Sequence, residues 1–292
     1  MVVVAPSGPV DAPRLERGCA LLESWGLEVR VATHVLDRTA YLAGADVDRA
    51  ADLARAWLDP QVRAVLCARG GYGAVRLLEH LDWGALAAAA PKVLVGASDV
   101  TVLHEAFGRR LGVVTLFGPM PATEALAGAS SAGDRDPGSA EHLRATLFGA
   151  QPVIGTDAPV ELVAGRAAGT LVGGTLALLA AAVGTPYAGT AAGGIAVLED
   201  VGEAPYRLDR LATQLLHAGW FDGVRGVVLG TLTRCGEGAL DVLHERLGRL
   251  GVPVLAGFPV GHGPTQLTLP LGVEATLDTG AGTLTLAQPP LG

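Results

Sequence analysis

Short β-branched runs alternate with helix-length patterns along the first 120 residues, and this alternation leaves few folds open to the chain. Strand character falls at residues 2–5, 27–32, 62–68, 93–96 and 113–117, with helices expected near 12–25, 47–57, from about Ala74, and near 100–107. Strands separated by single helices need crossover connections, so they build a parallel, doubly wound sheet. Ligands of such sheets bind beyond the carboxyl ends of the strands.

From about residue 121 the pattern fails, and Ser130, Ser131, Gly133, Asp134, Asp136, Pro137 and Gly138 crowd together as in an exposed loop. The expected organisation is an N-terminal domain over 1–120, a linker over 121–153 and a C-terminal domain over 154–292. The second half has strand-like runs around Val153, at 160–163, 195–198 and 224–229, and near Leu267 and 284–286. Helices are expected over 176–183, 205–217 and 239–250, which together describe a smaller, mixed α/β domain.

The stretch 167–198 carries no charge and is long enough to span a bilayer. Gly173, Gly174, Gly184, Pro186, Gly193 and Gly194 break it into a helix-sized piece, a turn and a short strand, so no membrane span is expected. The chain opens Met-Val-Val-Val-Ala-Pro, without the basic region of a secretory signal, and a cytoplasmic location is the expectation. A net charge of −8 with no basic run argues against nucleic acid as a partner. Cys19, Cys67 and Cys235 lack metal or disulfide spacing, and the histidines form no H-x-x-x-H, so neither a metal nor a cofactor is expected.

Residues 92–104, Lys-Val-Leu-Val-Gly-Ala-Ser-Asp-Val-Thr-Val-Leu-His, run a strand straight into a helix with Ser98 on the turn. This is the pattern of a nucleophile elbow, in which the amide of the following residue, Asp99, faces a developing oxyanion. Val100 stands where the second glycine of G-x-S-x-G is usual, and Ser98 or Asp99 would serve equally as a helix N-cap. A second turn, Ala68-Arg-Gly-Gly-Tyr-Gly-Ala74, suits either an oxyanion hole or an ordinary tight βα connection. Glu199 ends a strand, where a carboxylate can orient an imidazole, while Glu203 lies near a helix start. Tyr206, Arg207, Asp209 and Arg210 have the spacing of a surface charge lattice. His262 stands between two glycines in Phe258-Pro-Val-Gly-His-Gly-Pro264.

Taken in order, Val4-Ala-Pro-Ser-Gly-Pro-Val10, Cys67-Ala-Arg-Gly-Gly-Tyr-Gly73, Gly96-Ala-Ser-Asp-Val-Thr101, Gly118-Pro-Met120, Gly173-Gly-Thr-Leu176, Gly184-Thr-Pro186, Leu198-Glu-Asp-Val-Gly-Glu-Ala-Pro-Tyr-Arg-Leu-Asp-Arg210 and Gly257-Phe-Pro-Val-Gly-His262 resemble the LD-carboxypeptidase family, which includes the microcin C immunity peptidases. The resemblance implies a flavodoxin-like N-terminal domain, a C-terminal α/β domain and a Ser-Glu-His triad. Carried over by motif, Ser98 is the nucleophile, His262 the general base and acid, and Glu199 the residue that orients it, with Glu203 the alternative. Asp99 and Gly71 supply the oxyanion hole, and Gly70, Tyr72 and Tyr206 are candidate substrate-binding residues. Ala97 and Phe117 replace an aromatic and a histidine common in the family, at positions expected to flank the cleft.

The implied reaction is release of a C-terminal D-amino acid such as D-alanine from a murein tetrapeptide, with no cofactor and with a homodimer as the expected assembly. A peptidyl or aminoacyl nucleotide substrate, a non-catalytic small-molecule binder and a general esterase are the rivals, and Val100 counts against the last.

Overall fold

The computed structural model describes residues 1–150 and 154–291. The chain divides into two compact units, Met1–Arg144 and Ala145–Gly292, of nearly equal length, so the second is not the smaller one expected.

In the first unit, β1 (Val2–Val4), β2 (Arg30–Val31), β3 (Ala64–Cys67), β4 (Val93–Gly96) and β5 (Thr115–Phe117) alternate with α1 (Ala12–Ser24), α2 (Asp46–Leu58), α3 (Trp83–Ala88) and α4 (Thr101–Leu111). The strands lie side by side as β5-β4-β3-β1-β2, all parallel. This is the flavodoxin-like order, whose switch point lies between β1 and β3. β1 and β3 are buried throughout, as strands covered by helices on both faces must be. The helix expected from Ala74 is a 3₁₀ segment, Ala74–His80.

The segment expected to be a linker carries α5 (Glu124–Ala127) and α6 (Pro137–Leu147). Residues 121–128 pack on α1: a Cβ on Gly18 would lie 1.9 Å from the Pro121 carbonyl oxygen, and Arg17 Nε donates to the Ala127 carbonyl at 2.9 Å. Ala125, Leu126 and Ala127 are buried there. The loop signals belong only to a short turn in which Asp134 accepts from the Ser130 and Ser131 amides, and to Asp136, which accepts from Ser139 N. The strand expected around Val153 lies outside the described residues.

The second unit holds β6 (Ile154–Gly155), β7 (Val160–Val163), β8 (Arg166–Thr175), β9 (Gly194–Val201), β10 (Gly226–Thr233), β11 (Val254–Ala256), β12 (Leu269–Leu271), β13 (Glu274–Asp278) and β14 (Thr283–Leu286). Its mixed sheet runs β6-β14-β13-β8-β9-β10-β11-β7, parallel from β8 to β11 and antiparallel outside them. Helices α7 (Leu176–Ala182), α8 (Pro205–His217) and α9 (Ala239–Leu247) cover an apolar core that includes Leu179, Leu198, Leu208, Leu215, Leu229 and Leu243.

The ten-residue β8 was not foreseen, because Arg166–Thr175 is rich in Ala and Gly rather than β-branched residues. Those glycines answer to β9: a Cβ on Gly173 would fall 2.1 Å from the Val197 carbonyl oxygen, and one on Gly169 2.5 Å from that of Gly193. β8 and α7 account for half of the uncharged stretch, and among the described residues no helix is long and apolar enough to cross a membrane.

Candidate active site

β4 ends at Gly96, Ala97 is extended at φ −152°, and Ser98 then turns to φ 62° before the chain enters a 3₁₀ turn and α4. A serine in the left-handed region is uncommon and costs free energy, so surrounding structure must hold it there. Part of that hold is Val100, fully buried over Gly96, where a Cβ would come within 2.6 Å of Val100 Cγ1. Glycine at 96 makes room for valine at 100, which is how the turn forms without the usual second glycine.

Neither Ser98 nor Asp99 caps α4 with its side chain. The buried Asp99 carboxylate instead accepts the Ala74 amide at 2.8 Å, tying the serine turn to the end of the Gly-rich turn. Burial raises the Asp99 pKa, against the lowering pull of the Ala74 hydrogen bond and the Arg49 charge. Arg49, itself buried, donates to the Pro6 and Gly73 carbonyls and so ties the loop after β1 to the same turn.

Gly70 faces the nucleophile: a Cβ there would lie 2.8 Å from Ser98 Cβ and 3.0 Å from Ser98 Oγ. Gly71, at φ 127°, packs on Gly8. Among the described residues the Asp99 and Gly71 amides have no acceptor, and both stay available as donors. Tyr72 is exposed and meets Tyr41 edge to face at 5.8 Å.

In the second unit, Glu199 lies inside β9 and pairs in register with Thr175 at the end of β8. Its carboxylate is fully buried, with Oε2 2.7 Å from His262 Nδ1 and Oε1 accepting the Thr175 hydroxyl. Both oxygens are thereby engaged, and the imidazole is held through Nδ1, with no partner at Nε2 among the described residues. Burial disfavours imidazolium, yet the hydrogen bond and charge of Glu199, with the charge of Asp200, outweigh it and raise the His262 pKa. Gly261, at φ 110°, makes the approach possible, since a Cβ there would collide with Glu199 Oε2 at 2.3 Å. Glu203 instead pairs with Arg207 at 3.6 Å.

Asp200, next along β9, accepts the Ala177 and Val201 amides and so pins the start of α7. Burial, with the neighbouring Glu199 and Glu203 charges, moves its pKa up to about 6.

Tyr206 is exposed on α8 and stacks under Arg207 and Arg210, in keeping with a surface lattice. Phe117 and Ala97 are buried, and the Phe117 ring packs 5.8 Å from that of His104, so the two substitutions sit in the core rather than lining an open cleft. His104 Nε2 donates to the Gly96 carbonyl at the end of β4 at 3.0 Å, and burial lowers its pKa to about 4. His34, Asp37 and Asp48 each bring one ligand atom within 4.8 Å of the others, at the surface of the first unit.

Residues 1–118 match the LD-carboxypeptidase N-terminal domain and residues 168–277 the LD-carboxypeptidase C-terminal domain. The chain belongs to the LD-carboxypeptidase family. Its members' activity makes it a serine carboxypeptidase, a hydrolase. A Streptomyces coelicolor relative named as a carboxypeptidase is 54% identical over 298 residues, covering 100% of this chain and 94% of its own length. The structure of muramoyltetrapeptide carboxypeptidase from Oxalobacter formigenes superimposes with a TM-score of 0.85 at 32% identity, over 98% of this chain and 97% of that one. The microcin C7 self-immunity protein MccF, solved with aspartyl sulfamoyl adenosine, shares the fold with a TM-score of 0.87 at 23% identity, over 100% and 96%.

In this family member the residues that the sequence did not single out are those acting through others, Thr175 on Glu199 and Arg49 on Gly73; Asp99 was singled out for its amide, but not for its carboxylate's bond to Ala74. The Gly-Gly-Thr motif was visible, but nothing in a linear pattern says which carboxylate a threonine will reach.

Proposed function

We propose that this chain hydrolyses the amide between an L-centre and a C-terminal D-amino acid, releasing D-alanine from a murein tetrapeptide, with Ser98, His262 and Glu199 as its triad. Ser98 Oγ attacks the scissile carbonyl carbon and gives its proton to His262 Nε2. The Asp99 and Gly71 amides stabilise the tetrahedral oxyanion, and the His262 proton passes to the departing nitrogen as the C–N bond breaks. Water, deprotonated by His262, then attacks the acyl-serine ester and frees Ser98 and the shortened peptide. Glu199 holds the tautomer with its proton on Nδ1 and stabilises the imidazolium. Gly70, Tyr72 and Tyr206 are the candidates for substrate contact.

The observation that carries this function is the buried Glu199 carboxylate bonded to His262 Nδ1, which prepares an imidazole as a base. The elbow at Ser98 supplies a nucleophile of the matching kind. The 32% identity to a muramoyltetrapeptide carboxypeptidase supports the murein substrate over an aminoacyl nucleotide.

The test is D-alanine release from L-alanyl-D-glutamyl-diaminopimelyl-D-alanine by the protein and by its Ser98→Ala variant. Release that disappears in the variant is expected. No release, with cleavage of an aspartyl sulfamoyl adenosine, would transfer the assignment to the nucleotide-linked substrate, and inertness to both would leave a binding protein.

A further inference from the structure

Resting on that proposed function, one more group of residues has no role in the triad. A cavity of about 350 Å³ in the first unit is lined by Pro9, Val10, Asp11, Leu36, Arg38 and Arg69. These residues come from the connections that follow β1, β2 and β3, which is the ligand-binding edge of a doubly wound sheet at its switch point. We propose that this cavity binds a carboxylate of the peptide substrate, carried by the residue preceding the one that is acylated, with Arg38 and Arg69 as its cationic partners.

The charges in the cavity favour an anion. Arg38 has no ion pair or hydrogen bond among the described residues, and its guanidinium is therefore free to take a ligand. Arg69 donates through Nε to the Gly70 carbonyl at 3.1 Å and through Nη1 to the Pro9 carbonyl at 3.2 Å, which leaves Nη2 uncommitted. The one lining carboxylate, Asp11, is engaged at Oδ1 by the Arg14 amide at the start of α1. Asp37, beside Arg38, is bonded to His34. Two guanidiniums against one carboxylate reverse, locally, the −8 net charge of the chain. A guanidinium fork matches a carboxylate in shape as well as in charge.

Distance selects which carboxylate. Ser98 follows β4, Arg69 follows β3, the Pro9–Asp11 wall follows β1 and Arg38 follows β2. Neighbouring strands lie about 4.8 Å apart, so the middle of the cavity stands roughly 10 Å from the nucleophile, two strand spacings away. The terminal carboxylate lies only one residue beyond the scissile carbon, at about 4 Å, and falls short. On the acyl side, the carboxylate ending the acylated diaminopimelyl side chain, six bonds from the scissile carbon, reaches about 7.5 Å, and that of the residue before it, one bond further, comes closest to the required separation. In the tetrapeptide this is the free carboxylate of the D-glutamyl residue. Because Arg69 also holds the Gly70 carbonyl, and Gly70 lies against Ser98, the anion site is built into the turn that faces the nucleophile.

The experiment is a binding cycle in the full-length Ser98→Ala protein, which retains ligand without turnover. Calorimetry compares the tetrapeptide with the same peptide amidated at the D-glutamyl carboxyl, in Arg38 and in Arg38→Ala backgrounds. Each single change is expected to weaken binding about tenfold, and the double change by little more than either alone, because both remove one charge-assisted contact. Tight binding unaffected by Arg38→Ala, losses that multiply, coupling to amidation of the terminal D-alanine or of the diaminopimelyl side chain instead, or no peptide binding at all would each overturn the site. D-alanine release by the Ser98-bearing protein is followed in parallel. Release without coupling removes the anion site and leaves the function, whereas coupling without release removes the function and leaves the site. Arg38→Ala is expected to raise KM for the tetrapeptide about tenfold but not for the amidated peptide.

Discussion

Gly70 stands against Ser98 so closely that a methyl group on it would lie 3.0 Å from the nucleophile's Oγ and 2.8 Å from its Cβ. Residue 70 is thus glycine for the sake of residue 98, in a different loop. Gly70→Ala should displace the serine while leaving the core of the sheet intact. Activity is expected to fall at least about 100-fold, as small misplacements of reacting groups do. Far-UV circular dichroism should be unchanged, and a fully active variant would show that Ser98 Oγ is not the reacting atom.

Ser98 itself holds φ 62° without being glycine. Ser98→Gly relieves that conformation and should stabilise the fold by about 1 kcal/mol, less the gain in unfolded-chain entropy that glycine brings. Ser98→Ala keeps the strained turn and should not be stabilised. Both should lose activity, and the comparison of their denaturation midpoints with the parent isolates the strain.

Thr175 positions Glu199 rather than touching substrate. Thr175→Val keeps the shape and removes the hydroxyl, leaving Oε1 of a buried carboxylate without its donor. A loss of about tenfold in kcat/KM is expected, together with a displaced pH profile. Thr175→Ser should restore both, a recovery that a purely space-filling threonine would not predict.

His262 must be neutral to accept the Ser98 proton, and its pKa is raised by Glu199 and Asp200 against burial. The acid limb of kcat/KM should therefore rise with pH through a midpoint above the ordinary histidine value. Glu199→Gln removes the principal raising contact and should move that midpoint down. In stability the sign is opposite: protonated His262 favours the folded state below its unfolded pKa, and the contribution is lost as pH rises through the folded value.

Asp200 gives a second pH signature. Its folded pKa of about 6 exceeds the ordinary carboxylate value of 3.8, so the folded state binds more protons than the unfolded state between those limits. Stability should fall across that window by roughly 2 kcal/mol as pH rises. Urea midpoints at pH 4 and pH 7 measure the slope, which should flatten in Asp200→Asn after correction for the other titrating groups.

Much of the fold could be read along the chain. The five parallel strands and helices such as Pro205–His217 follow from local runs and periodicity. β8 could not be read, because its small residues are selected by the carbonyls of β9 and not by any preference of their own for extended structure. Residues 121–128 looked like part of a linker and instead pack on α1, since burial of Leu126 and its alanines depends on a partner distant in sequence.

The sequence by itself determined the residue types of the site: a serine on a strand-to-helix turn, a Gly-Gly turn, a carboxylate after an apolar run, which the structure places inside β9 rather than at its end, and a histidine between glycines. These are local because tight turns need small residues and strands need apolar runs. Only the tertiary structure decided the pairings. It brought His262 to Glu199 and left Glu203 with Arg207, sent the Asp99 carboxylate to Ala74 rather than to a helix cap, and buried Phe117 against His104. Glu203 and Arg207 are only four residues apart, but the other three contacts join separate segments, and their partners are chosen by how β-strands register and how loops pack, which no spacing in one dimension encodes.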